Sequence, residues 1–443
     1  MKRILILGAG LVSRPMVRYL LEVPEFEVTV ASRTLSKAEK LVAGHVRGKA
    51  IQLLADQEQA LDVLVSAHDL TVSLLPYTYH VQVARHCLEH RRPMVTTSYV
   101  SDTMRKLDGA AKEAGTLILN EIGLDPGIDH MSAMAIIHRV QENGGEVTSF
   151  MSYCGGLPAP EANDNPLGYK FSWSPKGVVM AGRNPGRYLK DGEEIAVPGT
   201  DLFGHHWPLD IEDEGRFEAY PNRDSLPYIA LYGIQTTRTM FRGTLRNPGW
   251  CETLKAIADL GLLGDEERGD LDGLSILDWL RQYVPGEGDL RQDTAIRLGL
   301  EPDSVAVANM AWLGMFEDDP VGIDKGSNLD ILARLMLDRM SYKPGERDMI
   351  VLHHDFRARL EDGPMKRITS TLVDYGRPDG DSAMARTVSL PAAVAVKHIL
   401  QGGIKLAGVH IPVLPELYEP VLAELGDIGI VFNERESAAS QRP

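Results

Sequence analysis

Cysteine is scarce in this chain of 443 residues, and the scarcity excludes whole classes of protein. The three cysteines, Cys87, Cys154 and Cys251, are widely spaced and odd in number, which argues against a disulfide framework and against a zinc knuckle. Basic charge is also short: 46 Lys and Arg stand against 62 Asp and Glu, a net charge of −16. Sequence-independent nucleic-acid binding, which needs basic surface to displace counterions, is thereby excluded. An anionic ligand must instead find a local basic pocket. No stretch approaches the roughly 20 apolar residues of a membrane span. Met1-Lys2-Arg3 leads straight into an apolar run, leaving no length for a signal peptide. The expectation is a cytoplasmic protein with neither membrane nor nucleic acid as partner. Low-complexity sequence is confined to the polar tail, Arg435 to Pro443.

What is present first is a βαβ start. Arg3-Ile4-Leu5-Ile6-Leu7 has strand length, and Gly8-Ala9-Gly10 turns it into a stretch where Val12, Met16, Val17, Leu20 and Leu21 recur at helical spacing. Such a turn lets backbone amides and a helix N-terminus approach a pyrophosphate. Ser13 occupies the third glycine position. The second strand, Val28-Thr29-Val30-Ala31, ends in Ser32-Arg33-Thr34 rather than in Asp or Glu. An acid there binds the ribose 2′-hydroxyl of NAD, whereas a hydroxyl and a guanidinium suit a 2′-phosphate. Lys37 adds charge to the same pocket, so the expected cofactor is NADP(H).

Alternation continues. Strands are expected at 50–54, with Asp56 just past the end, and at 70–75, stopped by Pro76, then at 93–97 and 116–119. Helices are expected near 57–66, 79–90 and 102–114. Six strands separated by such helices imply an α/β fold, a Rossmann-type doubly wound parallel sheet whose ligands lie beyond the carboxyl ends of the strands. After Gly127 come a helix (130–141), a strand (147–153), a loop-rich stretch from Cys154 to about Asp224, and a helical run over 248–340. Strand patterns return at 349–354 and 367–373, followed by an apolar helix, Pro391 to Leu400. The expected domains are 1–128, with 388–443 returning to it; an α+β substrate-binding and dimerisation domain, 129–247 with 341–387; and a helical insertion, 248–340.

Several long motifs carry a resemblance. Asn120 to His130 reads NEIGLDPGIDH, Ser152 to Pro160 reads SYCGGLPAP, and Asn163 to Ser174 reads NDNPLGYKFSWS. Further along stand Tyr220 to Ser225 (YPNRDS), Arg242 to Arg246 (RGTLR) and Ser370 to Gly376 (STLVDYG). Together these closely resemble the saccharopine reductases, the glutamate-forming saccharopine dehydrogenases of the α-aminoadipate route of lysine metabolism. The resemblance covers essentially the whole chain. It implies reversible joining of glutamate and α-aminoadipate semialdehyde through an imine, which NADPH reduces to saccharopine. It implies cofactor contacts at Gly10, Leu11, Val12, Ser32, Arg33, Thr34, Leu75, Asp125, Pro126, Gly127 and Ser174, beside Gly8 of the glycine turn and Asp56 after the third strand, and substrate contacts at Ser98, Tyr99, Asp125, Arg223, Thr244, Leu245 and Arg246. A homodimer is implied as well. One departure is Pro175, where some relatives are expected to carry a small polar residue.

The residues agree with that chemistry. Saccharopine bears three carboxylates, and Arg is the bidentate carboxylate binder; Arg223 and Arg246 sit in polar motifs free of helical periodicity. Amine oxidation needs a base, and imine hydrolysis needs a group that activates water. Asp125, Tyr99 and Cys154 are the candidates. His205-His206 and His353-His354 lack further ligands at metal spacing and read as structural, so no metal is expected. Two other readings remain open. A related reductive-amination enzyme making carboxynorspermidine-type polyamines would want acids where Arg223 and Arg246 stand, and an idle NADPH-binding regulator would have little use for either arginine.

Overall fold

A computed structural model describes residues 1–359 and 363–439. Residues 440–443, the end of the polar tail, lie outside the described residues. In chain order the strands are β1 (Lys2–Leu7), β2 (Phe26–Ser32), β3 (Gly48–Gln52), β4 (Leu70–Ser73), β5 (Met94–Val95), β6 (Leu117–Leu119), β7 (Glu146–Pro158), β8 (Gly186–Lys190), β9 (Glu193–Val197), β10 (Trp207–Ile211), β11 (Gly215–Pro221), β12 (Thr239–Arg246), β13 (Asp348–Arg359), β14 (Met365–Tyr375), β15 (Gly408–His410) and β16 (Asn433–Ala438). The chain divides into two compact units: residues 1–145 with 372–433, and residues 146–371 with 434–443.

The first unit is built on a seven-stranded sheet in the order β15-β6-β5-β4-β1-β2-β3, parallel throughout. Ile4, Leu5, Ile6 and Leu7 are fully buried, as expected of a central parallel strand covered on both faces. The helix Ser13–Glu22 buries Met16, Val17 and Leu20 completely. Strand order reverses between β1 and β4, so the ends of these two strands form the switch point where such sheets bind ligands. Two expectations change in detail. The sheet gains a seventh strand, β15, whose three residues are too few to show a pattern. The helix expected over 102–114 breaks into Asp102–Arg105 and Asp108–Ala114.

The second unit carries a mixed sheet, β10-β11-β12-β7-β13-β14-β16, with β8 paired to β12 and β9 paired to β8. Its spine is the long antiparallel pairing of β13 on β7, with β12 running parallel on the other side of β7. The stretch expected to be loop from Cys154 to Asp224 is corrected here. It finishes β7 and then forms β8 to β11. These strands are short and interrupted by Gly, Pro and Asn. Their hairpin does have a sequence signal, since Asp191-Gly192 both take positive φ between β8 and β9. The helical run over 248–340 is present, including Trp250–Asp259 and Asn328–Arg339.

Candidate functional site

Gly8 follows β1 directly at φ +115°, and a Cβ there would lie 2.9 Å from the carbonyl oxygen of Leu74, just past β4. Glycine is therefore required where the two strands meet at the switch point. At Gly10 the reverse holds: nothing lies within 4 Å of a Cβ, so the turn offers open space where a pyrophosphate would approach. Ser13 explains how the motif works without its third glycine. Fully buried, its Oγ accepts from Gly10 N at 3.1 Å and donates to the Gly8 carbonyl at 3.4 Å, tying the turn to its helix. No side chain caps that helix, which leaves its first-turn amides for an anion.

At the end of β2, Ser32 Oγ accepts from Thr34 N at 3.3 Å, and the Arg33 carbonyl accepts from Gln52 at 3.2 Å. These bonds hold the Ser-Arg-Thr turn while the Arg33 side chain stays exposed, as does Lys37. The donors therefore fit a 2′-phosphate in charge and in freedom to reach it. Leu11 is 69% exposed beside the glycine turn, and Val12 is the residue preceding the helix. Leu75 is half-buried against the core, whereas Asp56 is exposed in the loop after β3.

Beyond β6 the chain makes a tight loop around Asp125. Gly127 stands at φ +147°, and a Cβ there would lie 2.1 Å from the Gly123 carbonyl oxygen, so no other residue fits. Tyr99 Oη donates to Asp125 Oδ1 at 3.2 Å. Beneath the loop lies a charged cluster. Glu121 accepts from Val100 N at 2.9 Å and meets His130 Nε2 at 2.9 Å; Asp129 Oδ1 accepts from Gly127 N at 2.6 Å. His130 is fully buried between these two acids inside the helix Ile128–Glu142. Ser98 Oγ lies 2.9 Å from His80 Nε2.

In the second unit, Thr244, Leu245 and Arg246 form the end of β12, and Thr244 is in register with Cys154 on β7. Arg246, in a polar motif free of helical periodicity, is a buried strand end, 5% exposed. Its guanidinium lies 4.8 Å from the centre of the Tyr169 ring and 5.3 Å from that of Trp250. One nitrogen donates to the Leu245 carbonyl at 2.8 Å, while Nε has no hydrogen-bond partner in the protein. Burial opposes its charge, but Tyr220, Tyr169, Cys251 and Cys154 around it more than offset this and hold its pKa above the ordinary arginine value. Among the described residues no carboxylate pairs with it. Tyr220 is itself pushed up to about 12, chiefly by burial. Cys154 is buried and forms no disulfide.

Arg223 differs: it is exposed, at φ +55°, with its carbonyl held by Arg187 N at 2.9 Å. Ser174 belongs to this second unit, exposed at the start of the helix Pro175–Ala181, where its Oγ accepts from Gly177 N at 3.2 Å.

The histidine pairs find protein partners: His205 meets Tyr188 Oη at 2.7 Å, His206 the Phe203 carbonyl at 2.7 Å, and His353 Thr371 Oγ1 at 2.8 Å. Asp62, His86 and Glu89 bring ligand atoms within 4.8 Å of one another, but His86 and His90 already bond to Asp62 at 3.0 and 2.7 Å. Sequence reasoning passed over His80, the Glu121–His130 pair and the rings around Arg246. Glu121, His130 and Tyr169 stand inside the long motifs, but a motif does not show which side chains meet once the chain is folded.

The glycine turn at the switch point, with a basic second-strand end, defines an NADP-binding oxidoreductase of Rossmann type. Residues 4–119 match the family described as saccharopine dehydrogenase NADP binding domain, and residues 123–430 match saccharopine dehydrogenase C-terminal domain. The chain belongs to the saccharopine dehydrogenase family. It is 42% identical to the saccharopine dehydrogenase [NADP(+), L-glutamate-forming] of Pyricularia oryzae, over 98% of this chain and 99% of that protein. The mitochondrial alpha-aminoadipic semialdehyde synthase of Bos taurus is 38% identical over 97% of this chain, which spans 47% of that longer protein. A solved structure of apo saccharopine dehydrogenase (L-Glu forming) from Saccharomyces cerevisiae superposes with a TM-score of 0.90 at 40% identity, covering 99% of this chain and all of that one.

Proposed function

We infer that this chain is a saccharopine reductase. With NADPH it joins L-glutamate and L-2-aminoadipate 6-semialdehyde into L-saccharopine, and in reverse it oxidises saccharopine. In the oxidative direction the secondary ammonium gives up a proton, and a hydride leaves the carbon that becomes the aldehyde. Water then adds to the resulting imine and releases glutamate. NADP⁺ supplies the hydride acceptor when bound.

The observation that carries this reading is Arg246. A buried guanidinium with no acid beside it costs several kcal/mol unless an anion completes it, and saccharopine brings three carboxylates. Tyr169 and Trp250 pack against its faces and direct its in-plane donors. Arg223, exposed on its loop, takes a second carboxylate, with Thr244 and Leu245 lining the same substrate. A polyamine substrate would leave Arg246 uncompensated. Gly8, Gly10, Leu11, Val12, Ser32, Arg33, Thr34, Lys37, Asp56, Leu75, Asp125, Pro126, Gly127 and Ser174 serve the cofactor, in this reading, and Ser98, Tyr99 and Asp125 also touch substrate.

For proton transfer the supported arrangement is Tyr99 donating to Asp125, whose carboxylate is the base that accepts the ammonium proton. Cys154 is the remaining candidate for the hydrolytic step. The reading also makes the enzyme a cytoplasmic homodimer, which sedimentation and cell fractionation would check. No helix among the described residues is long and apolar enough to cross a membrane. The deciding assay follows nicotinamide absorbance on adding saccharopine to NADP⁺ and, separately, to NAD⁺, with glutamate assayed as product. Turnover with NADP⁺ and one glutamate per NADPH is expected. A folded protein that binds NADPH yet turns over neither mixture would overturn the assignment.

A further inference from the structure

His80 lies at the start of the helix His80–Glu89, just past the switch point, and is 4% exposed. Its ring bridges two hydroxyls: Nδ1 is 2.9 Å from Ser73 Oγ, and Nε2 is 2.9 Å from Ser98 Oγ. Thr96 Oγ1 stands further from Nε2, at 3.3 Å. The three hydroxyls come from different places along the sheet. Ser73 ends β4, whereas Thr96 and Ser98 follow β5.

The bonding can be resolved by asking where each buried proton goes. Ser73 is fully buried, and its hydroxyl has one partner, His80 Nδ1. A buried O–H left without an acceptor costs about 1–3 kcal/mol; Ser73 and Thr96 compete for the ring, and the shorter bond, 2.9 Å from Ser73 against 3.3 Å from Thr96, puts the Ser73 proton on Nδ1. Nδ1 is then the acceptor, and a neutral imidazole must carry its proton on Nε2. The ring is kept neutral by burial, which lowers its pKa to about 4. The Nε2 proton goes to the nearer oxygen, Ser98 Oγ. Ser98 is thereby an acceptor on its inner side, and its own proton faces outward.

We propose that His80 is a positioning residue that fixes Ser98 as a hydrogen-bond donor to a carboxylate of the substrate. The chain Ser73 to His80 to Ser98 passes this orientation from the core of the sheet to a half-exposed hydroxyl. A donor held in this way favours a carboxylate and disfavours an ammonium, which needs an acceptor. The inference rests on Ser98 touching the substrate, as argued above.

A double-mutant cycle tests it. His80→Ala and Ser98→Ala are each expected to lower kcat/KM for saccharopine about tenfold or more, the loss of one hydrogen bond to a charged group. The combined variant should be no worse than the poorer single, because His80 acts through Ser98. NADPH affinity, read by fluorescence titration, should stay unchanged in all three. His80→Gln, whose amide N–H can replace Nε2, should recover part of the loss. Independent, multiplying losses would overturn the relay while leaving Ser98 as a substrate contact. A parallel fall in NADPH affinity would make His80 merely structural. Wild-type kcat/KM in Ser98→Ala would remove the Ser98 contact itself, and the inference with it.

Discussion

Arg33 and Arg246, the arginines proposed to meet anions, are presented in two different ways. Arg33 is exposed just past β2, and the selectivity proposed for it is electrostatic and local. Replacing Arg33 by Ala should raise KM for NADP⁺ by roughly ten- to hundredfold, the worth of a charge-assisted contact, and barely change KM for NAD⁺. Equal changes for both would remove the 2′-phosphate pocket. Arg246 is buried against two aromatic rings, so its charge is held where water cannot screen it. Arg246→Lys keeps the charge but loses the planar fork. It should weaken saccharopine binding at least tenfold while NADPH binding in a direct titration stays as it was. The Arg-rich motifs were visible in the sequence, but their difference in burial was not. Arg246 is covered by Tyr169, 77 positions earlier, and by Trp250 on the next helix.

Elements decide how such residues are presented. The glycine turn works because β1 and β4 run side by side, so that Gly8 faces Leu74 without a side chain. Two substitutions separate fold from function here. Gly127→Ala puts a Cβ 2.1 Å from a carbonyl oxygen at a φ that L-residues avoid, and should lower Tm sharply or abolish folding. Gly10→Ala meets no protein atom within 4 Å. Its Tm should stay within a few degrees of wild type while NADPH binding weakens, as calorimetry and fluorescence titration would show. A Gly10→Ala variant with unchanged NADPH affinity would contradict the approach of cofactor to this turn. The first two βα units could be read directly, since each strand is a continuous apolar run and each helix has clean periodicity. The strands between Cys154 and Asp224 could not, because short edge strands take their stability from partners far away in sequence.

Across the whole molecule, buried histidines tie stability to pH. Burial lowers both His80 and His353 from an ordinary 6.5 to about 4. Above pH 6.5 these groups are neutral in folded and unfolded chains alike, and stability is complete. Below it the unfolded chain takes up protons that the folded one refuses, so stability falls as pH drops from 6.5 to 4. Each group contributes on the order of 3 kcal/mol across this window. Calorimetry from pH 8 to pH 4 should show Tm falling in it, and His353→Gln should make the fall shallower; a flat profile would show that these rings protonate in place. Asp164, lowered to about 2 chiefly by its bond to Lys170, adds a loss at still lower pH.

The amino-acid sequence by itself determined the cofactor class, the parallel sheet of the first unit and the family, because apolar periodicity, turn chemistry and long motifs act over short spans of chain. The tertiary structure alone decided which arginine is buried and which is exposed, which acids hold His130, and that His80 bridges Ser73 and Ser98. Those properties depend on desolvation and on hydrogen bonds between residues far apart in the chain, such as the 280 positions that separate His138 from its partner Tyr418. Pattern along a sequence carries no record of such partners until folding brings them together.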